Sequence, residues 1–322
     1  MPPASSEHHS TDNQTALIGV DWGTSSLRAY RLKADGQILE STEGNKGILQ
    51  VKDGAFAETL SATIGAWRAH ETPVVLSGMI GSRQGWIEVP YLDVPAELND
   101  IANALVGHPN DPALHFVPGL ARDPAGQAPD VMRGEETQII GAISDGTGRH
   151  LLIMPGTHSK WVLVDGRRIT WFATFMTGEL FSVLKDHSIL GRLMAKDGAQ
   201  HDADGRHDAE AFNQGLLAAE TLPGGLLQRL FSARTLGLFE RVPEAGIADY
   251  LSGLLIGSEL NEALSNLEGP SHQLSVTIIG ASSLADRYLD AIAHAGLSAE
   301  RADDTAAARG HFLIAKEAKL IL

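Results

Sequence analysis

The sequence predicts an α/β protein built from two similar domains, and three observations predict it. A strand–turn–strand unit with Gly-Thr in its turn occurs at Gly23-Thr24 and again at Gly156-Thr157. Each copy runs into an Asp-Gly turn, Asp35-Gly36 and Asp165-Gly166, and then a further strand. The 322 residues suit two domains of ordinary size. Gly and Asp-Gly are common turn residues, so two unrelated hairpins are the competing reading. The shared order of strand, GT, strand, DG, strand favours a duplication.

Taken in order, "MPPASSEHHSTDNQT" is polar, lacks a basic-then-apolar signal pattern and reads as a disordered leader over residues 1–15. "LIGVDWGTSSLRAYRL" is the first hairpin, with more polar equipment than a connection needs. "TPVVLSGMIGSRQGWIEVPYL" is a strand followed by a long Gly-rich loop. "VMRGEETQIIGAI" reads as a helix starting near Gly134, with Glu135 and Glu136 in its first turn. Acids there can simply complement the helix dipole, so a catalytic reading stays open at this point. The first domain spans 16–147 and the second 148–322.

In the second half, "HLLIMPGTHSKWVLVDGRRITWFATF" repeats the hairpin. "MTGELFSVLKDHSILGRLM" and "ADYLSGLLIGSELNEAL" carry apolar residues at helical spacing. "LSVTIIGASSLADRYLDAIAHA" is a buried strand ending at Gly280, a small-residue turn and a helix, which is a common place for a nucleotide. "DDTAAARGHFLIAKEAKLIL" sets acids before an Ala-rich run, a reasonable helix start.

Composition narrows the function. The net charge of −15 argues against a nucleic-acid partner, which needs a basic face. With no cysteine there are no disulfides, thiolate nucleophiles or cysteine metal sites. No apolar run approaches a membrane span, so a cytoplasmic protein is expected. Backbone N–H groups in Gly-containing turns make concave anion sites. Hydroxyls at Thr24, Ser25, Thr157 and Ser159 add donors, so two opposed turns could hold a polyphosphate from both sides.

"VDWGTSSLRAY", "LSGMIGSRQGW", "VMRGEETQIIGA", "MPGTHSKWV", "FMTGEL", "LSGLLIGSEL" and "IIGASSLADRY" occur together and in this order. From about Ala16 to Ala315 the chain resembles the 2-dehydro-3-deoxygalactonokinase family. The resemblance implies the actin-like ATPase and sugar-kinase architecture. That is two ribonuclease-H-like domains, each with a mixed five-stranded sheet and flanking helices, around an ATP cleft. It implies transfer of the ATP γ-phosphoryl to the C6 hydroxyl of 2-dehydro-3-deoxy-D-galactonate, with Mg²⁺.

Carried over residue by residue, "DWGTSSLR" resembles the first phosphate motif. Asp21 would organise Mg²⁺ through water, Gly23, Thr24 and Ser25 would meet phosphates, and Arg28 would reach them. "PGTHS" resembles the second, with Gly156, Thr157 and His158 at the phosphates. It departs from the first at Met154, which stands where Asp21 stands and offers no carboxylate. "IIGASS" resembles the adenosine motif, with Gly280, Ala281 and Ser282 at the nucleoside, and "LSGLLIGSEL" covering it from one side. In related kinases an acid at the start of the connecting helix handles the acceptor hydroxyl, which points to Glu135 first and Glu136 second. Successive residues there differ by ~100° in direction, so one of the two faces the substrate. An acidic protein must place cations locally for a sugar acid. Arg83 and Arg133 are the candidates for its carboxylate, and Trp86 for the sugar's apolar face.

Two other functions compete. One is a kinase of the same architecture for another sugar acid or an amino sugar. The other is a non-catalytic ATP-binding switch of actin or chaperone type, against which the chain offers no added peptide-binding domain. A homodimer is compatible with either.

Overall fold

The computed structural model describes residues 14–69, 71–143, 147–194, 208–267, 274–280 and 282–322. Most of the expected leader, residues 1–13, lies outside them. The chain divides into two compact units, one of residues 1–147, 166–170 and 303–322, the other of 148–165 and 171–302.

The first unit begins with β1 (Leu17–Trp22), β2 (Leu27–Leu32) and β3 (Ile38–Gly44). β1 is buried almost throughout, as its apolar run requires of a strand covered on both faces. β3 is largely exposed and polar, which suits a sheet edge. Helix α1 (Phe56–Ile64) buries Phe56, Leu60 and Ile64, one residue per turn. It covers the sheet, and Phe56 meets Trp22 edge-on at 5.8 Å. Then follow β4 (Val74–Ser77), β5 (Leu92–Asp93), α2 (Leu98–Asn103), β6 (Val106–His108), β7 (Asp111–Phe116), β8 (Leu120–Arg122), β9 (Asp130–Met132) and α3 (Glu135–Ala142).

The main sheet has the order β3-β2-β1-β4-β7-β6. β1, β2 and β3 pair antiparallel, and β1, β4 and β7 pair parallel. Five strands are what the family resemblance implies; the sixth, β6, adds antiparallel to β7 at the edge. β5, β8 and β9 form a separate small sheet.

The second unit contains β10 (Arg149–Met154), β11 (Ser159–Asp165), most of β12 (Arg168–Phe175), whose first three residues fall in the first unit, then α4 (Thr177–His187), α5 (Ala209–Thr221), α6 (Leu226–Leu238), α7 (Ile247–Asn266), β13 (Ser275–Ile278), α8 (Ser282–His294) and β14 (Ala299–Arg301). Its sheet order is β12-β11-β10-β13-β14. β10 and β11 pair antiparallel, while β10, β13 and β14 pair parallel. The order of β3-β2-β1-β4-β7 thus recurs, with the directions of its β2-β1-β4-β7 part, and both sheets have the ribonuclease-H-like arrangement of the actin-like ATPase fold. The duplicated hairpins read in the sequence are the first two strands of each sheet.

The chain then returns to the first unit as α9 (Ala306–Glu317). A linear division puts residues 303–322 in the second domain; α9 instead packs on β1 and α3. Two glycines allow it. A Cβ on Gly141 would lie 1.8 Å from the Ala306 carbonyl oxygen, and one on Gly310 would lie 1.9 Å from that of Thr137, so the two helices cross in backbone contact. His311 is fully buried against Gly19, with Nε2 3.0 Å from Ser77 Oγ. No helix among the described residues is long and apolar enough to cross a membrane.

Candidate active site

In the first unit, the turn between β1 and β2 is held from one side. The amides of Ile48, Leu49 and Gly47 donate to the carbonyls of Gly23, Thr24 and Ser25. A trans peptide sets N–H opposite C=O. The N–H groups of Thr24, Ser25 and Ser26 therefore all point away from residues 47–49. Three amides turned to one side beside exposed Thr24 and Ser25 hydroxyls are the donors an anion site would need.

Asp21 lies at the end of β1, opposite Arg28 in register. Gln138 Nε2 on α3 is 3.4 Å from its Oδ2. Burial raises the Asp21 carboxyl to about 6; the Arg28 charge opposes this and the Glu135 charge adds to it. Gly78 and Gly134 close over Asp21 at φ 91° and 109°, conformations that favour glycine. Arg28, expected to reach phosphates, is instead drawn to Glu43, its register partner on β3, at 2.9 Å.

Helix α3 has no side-chain cap at Gly134, and its two acids fold back instead. Glu135 Oε2 accepts from the Arg133 amide at 3.0 Å, and Glu136 Oε2 from the Gly134 amide at 2.6 Å. Their surroundings differ sharply. Glu136 is fully buried, takes a further bond from the Thr137 hydroxyl, and is pushed up to about 8 by burial and then by the Glu135 charge. Glu135 is part-exposed and close enough to Asp21 to raise it.

A measurable consequence follows for Glu136. A carboxyl raised from 4.5 to about 8 binds more protons in the folded than in the unfolded chain. Its contribution to stability is fully present below about pH 4.5 and lost as pH rises through 8. Glu136→Gln keeps the shape without the ionisation. The variant is expected to lose stability less steeply than the parent between about pH 5 and 8, by thermal melts, and to retain turnover.

Of the residues expected at the sugar acid, Arg83 is exposed. Arg133 is 8% exposed, donates through Nη2 to the Val89 carbonyl at 2.7 Å and lies 4.3 Å from the Tyr91 ring. Its Nε and Nη1 are buried and have no hydrogen-bond partner among the described residues. A guanidinium with two unsatisfied donors is costly unless an anion completes it. The Trp86 ring packs on Phe56, His108 and Phe116, with His108 at 4.9 Å; it is partly buried against the core and also lines a cavity of about 340 Å³ with Leu60, Arg68 and His108. The Gly78–Val89 loop folds back onto the α1 face, which its glycines did not reveal.

In the second unit, α4 sits directly on the turn between β10 and β11. A Cβ on Gly178 would lie 2.3 Å from the Gly156 oxygen, and the Glu179 amide donates to Thr157 O at 2.9 Å. Glu179 also binds His158 Nε2, so the imidazole expected to donate to phosphate already has a carboxylate partner. Gly280 meets the other side of the turn, where an added Cβ would be 3.5 Å from Pro155 Cδ. Ala281 lies outside the described residues, and Ser282 opens α8.

The buried Glu259 on α7 accepts from Trp161 Nε1, Ser159 Oγ and Tyr288 Oη at 2.6, 3.2 and 2.7 Å. It thereby ties α7 and α8 to the strand that leaves the turn. Sequence reasoning missed it; an acid inside the apolar stretch "LSGLLIGSEL" was the available signal. Beside it is a cavity of about 470 Å³ lined by Phe175, Thr177, Arg229, Ser258, Glu259 and Asn261. It opens on the "LSGLLIGSEL" helix.

Among the described residues no group of three or more His, Asp or Glu side chains could hold a metal. Asp21, partly exposed at the end of β1, offers one carboxylate, which would suit a cation that keeps its water and takes phosphate oxygens as further ligands.

The family model described as 2-keto-3-deoxy-galactonokinase matches residues 21–314. A Rhizobium meliloti protein assigned as a 2-dehydro-3-deoxygalactonokinase is 37% identical over 90% of this chain and 93% of its own length. The 2-dehydro-3-deoxygalactonokinase of Escherichia coli is 36% identical over 85% and 88%. A crystal structure assigned to the same activity, from Sinorhizobium meliloti, superposes with a TM-score of 0.82 at 34% identity, covering 93% of this chain and 98% of that one.

Proposed function

This chain belongs to the 2-keto-3-deoxy-galactonokinase family, and from that premise we infer how its residues perform ATP-dependent phosphorylation of 2-dehydro-3-deoxygalactonate. The observation that carries the substrate assignment is the buried Arg133 with two unpartnered donors beside an acid-bearing helix start. An acid substrate supplies the missing carboxylate.

In this reading, the first unit offers phosphates the amides of Thr24, Ser25 and Ser26, and the second unit offers them the Gly156–Thr157 turn. The cavity beside α7 takes the nucleoside. Asp21 would hold Mg²⁺, which when bound would neutralise phosphate charge. Arg133 fixes the sugar acid by its carboxylate. Glu135 orients the C6 hydroxyl and takes its proton as the oxygen bonds to the γ-phosphorus and the bond to ADP breaks. Glu136, neutral and buried, fixes the helix start from which Glu135 projects. The reaction is placed in the cytoplasm.

The test is ATP turnover with a panel of 2-keto-3-deoxy sugar acids. Phosphorylated product is expected with the galactonate derivative; ATP consumed equally with and without any acid would point to a non-catalytic switch. Arg133→Met gives a second test. Charge-assisted hydrogen bonds contribute about 1.5–3 kcal/mol, so the KM for the acid should rise roughly 10–100-fold. The ATP KM should stay near the parent value. Equal effects on both would make Arg133 a general fold residue.

A further inference from the structure

The two hairpins differ in one respect that neither turn sequence shows. In the first, Asp21 faces Arg28 across the strands, and Arg28 is neutralised by Glu43. In the second, the corresponding register pair is Met154 and Lys160. The cation is kept and the acid is gone.

Lys160 is only 6% exposed. Its Nζ donates to Thr174 Oγ1 at 2.8 Å, and among the described residues no carboxylate pairs with it. An ammonium in this part-buried place with one hydroxyl partner is short of a counter-charge, which an anion would supply. Its place says which anion. Met154 and Lys160 are the last register pair before the Pro155–His158 turn. Thr174 lies on the strand that feeds α4, whose first turn packs on Gly156 and Thr157. The ammonium is therefore at the end of the sheet where turn and helix meet.

We propose that Lys160 is a phosphate-binding residue, its ammonium meeting nucleotide phosphate oxygens at the second hairpin. This rests on the kinase reading above. It also accounts for Met154. An acid at that position would close an ion pair with Lys160, as the first hairpin's acid position faces its cation, and would cancel the charge the phosphate needs.

Lys160→Met tests it, because Met is close in volume and carries no charge. Thermal melts, MgATP affinity by calorimetry and both KM values are measured on the whole chain. The variant should melt at or above the parent temperature, because a part-buried charge short of a counter-charge has been removed. Its MgATP affinity should fall at least tenfold, with the sugar-acid KM within about twofold and part of the affinity recovered in Lys160→Arg. Unchanged ATP affinity would overturn the proposal, as would a rise confined to the sugar-acid KM, which would make that carboxylate the partner. A variant melting well below the parent would make Lys160 a fold residue. If the parent itself phosphorylates the acid, these outcomes bear on Lys160 alone; a parent that binds no ATP removes the kinase reading and this proposal together.

Discussion

Replacing Glu135 by Gln is expected to lower kcat by roughly 10²–10⁴ while the sugar acid still binds. The amide oxygen can keep the bond from the Arg133 amide, so the helix start survives. What is lost is the charge that accepts the hydroxyl proton. If the acid served only the helix dipole, the change would cost about 0.3–1 kcal/mol of stability and leave kcat alone. Steady-state kinetics and a thermal melt on one preparation separate these outcomes. The choice of Glu135 over Glu136 follows from exposure. A fully buried carboxyl raised to about 8 has no face to offer a substrate. Should Glu136→Gln be the inactive variant, the substrate would have to reach a position that is sealed in this structure.

Asp21→Asn should leave the fold intact and reduce turnover by roughly 10²–10³, the usual loss for one electrostatic contact to the transferring group, about 2–4 kcal/mol. The amide can still accept from Gln138. A pH profile gives an independent reading. Asp21 is raised to about 6, and its ionised form is the one that holds a hydrated cation. Parent activity should therefore fall as pH drops through about 6, and that limb should be absent from whatever activity the variant retains. Normal turnover with unaltered magnesium dependence would reduce Asp21 to a turn-forming residue.

Much of the fold is legible locally. Gly-Thr turns flanked by apolar runs encode their hairpins in adjacent residues, so the repeat can be read directly from the order of amino acids. The start of α3 is equally legible, because Gly134 and two acids mark it. What depends on distant partners is not. Arg28 looks available until the register of β2 with β3 places Glu43 beside it. Trp86 sits in a loop with three nearby glycines and looks like a sugar platform, yet α1 supplies Phe56 to stack on it at 6.3 Å. Which of two successive acids faces outward depends on a helix phase set by a single residue at φ 109°. Arg133 stands out in the sequence only as a cation in an acidic chain; its unsatisfied donors are a property of the fold.

The return of α9 to the first unit bears on how the polypeptide is made. Residues 303–322 leave the ribosome after the whole of the second unit. Until then β1 has no His311 against Gly19, and α3 lacks the helix it crosses at Gly141. The first half is translated early but completed late, and its nascent sheet keeps an apolar face open throughout synthesis of the second half. The unit that emerges first is thus the one that most needs shelter during biogenesis.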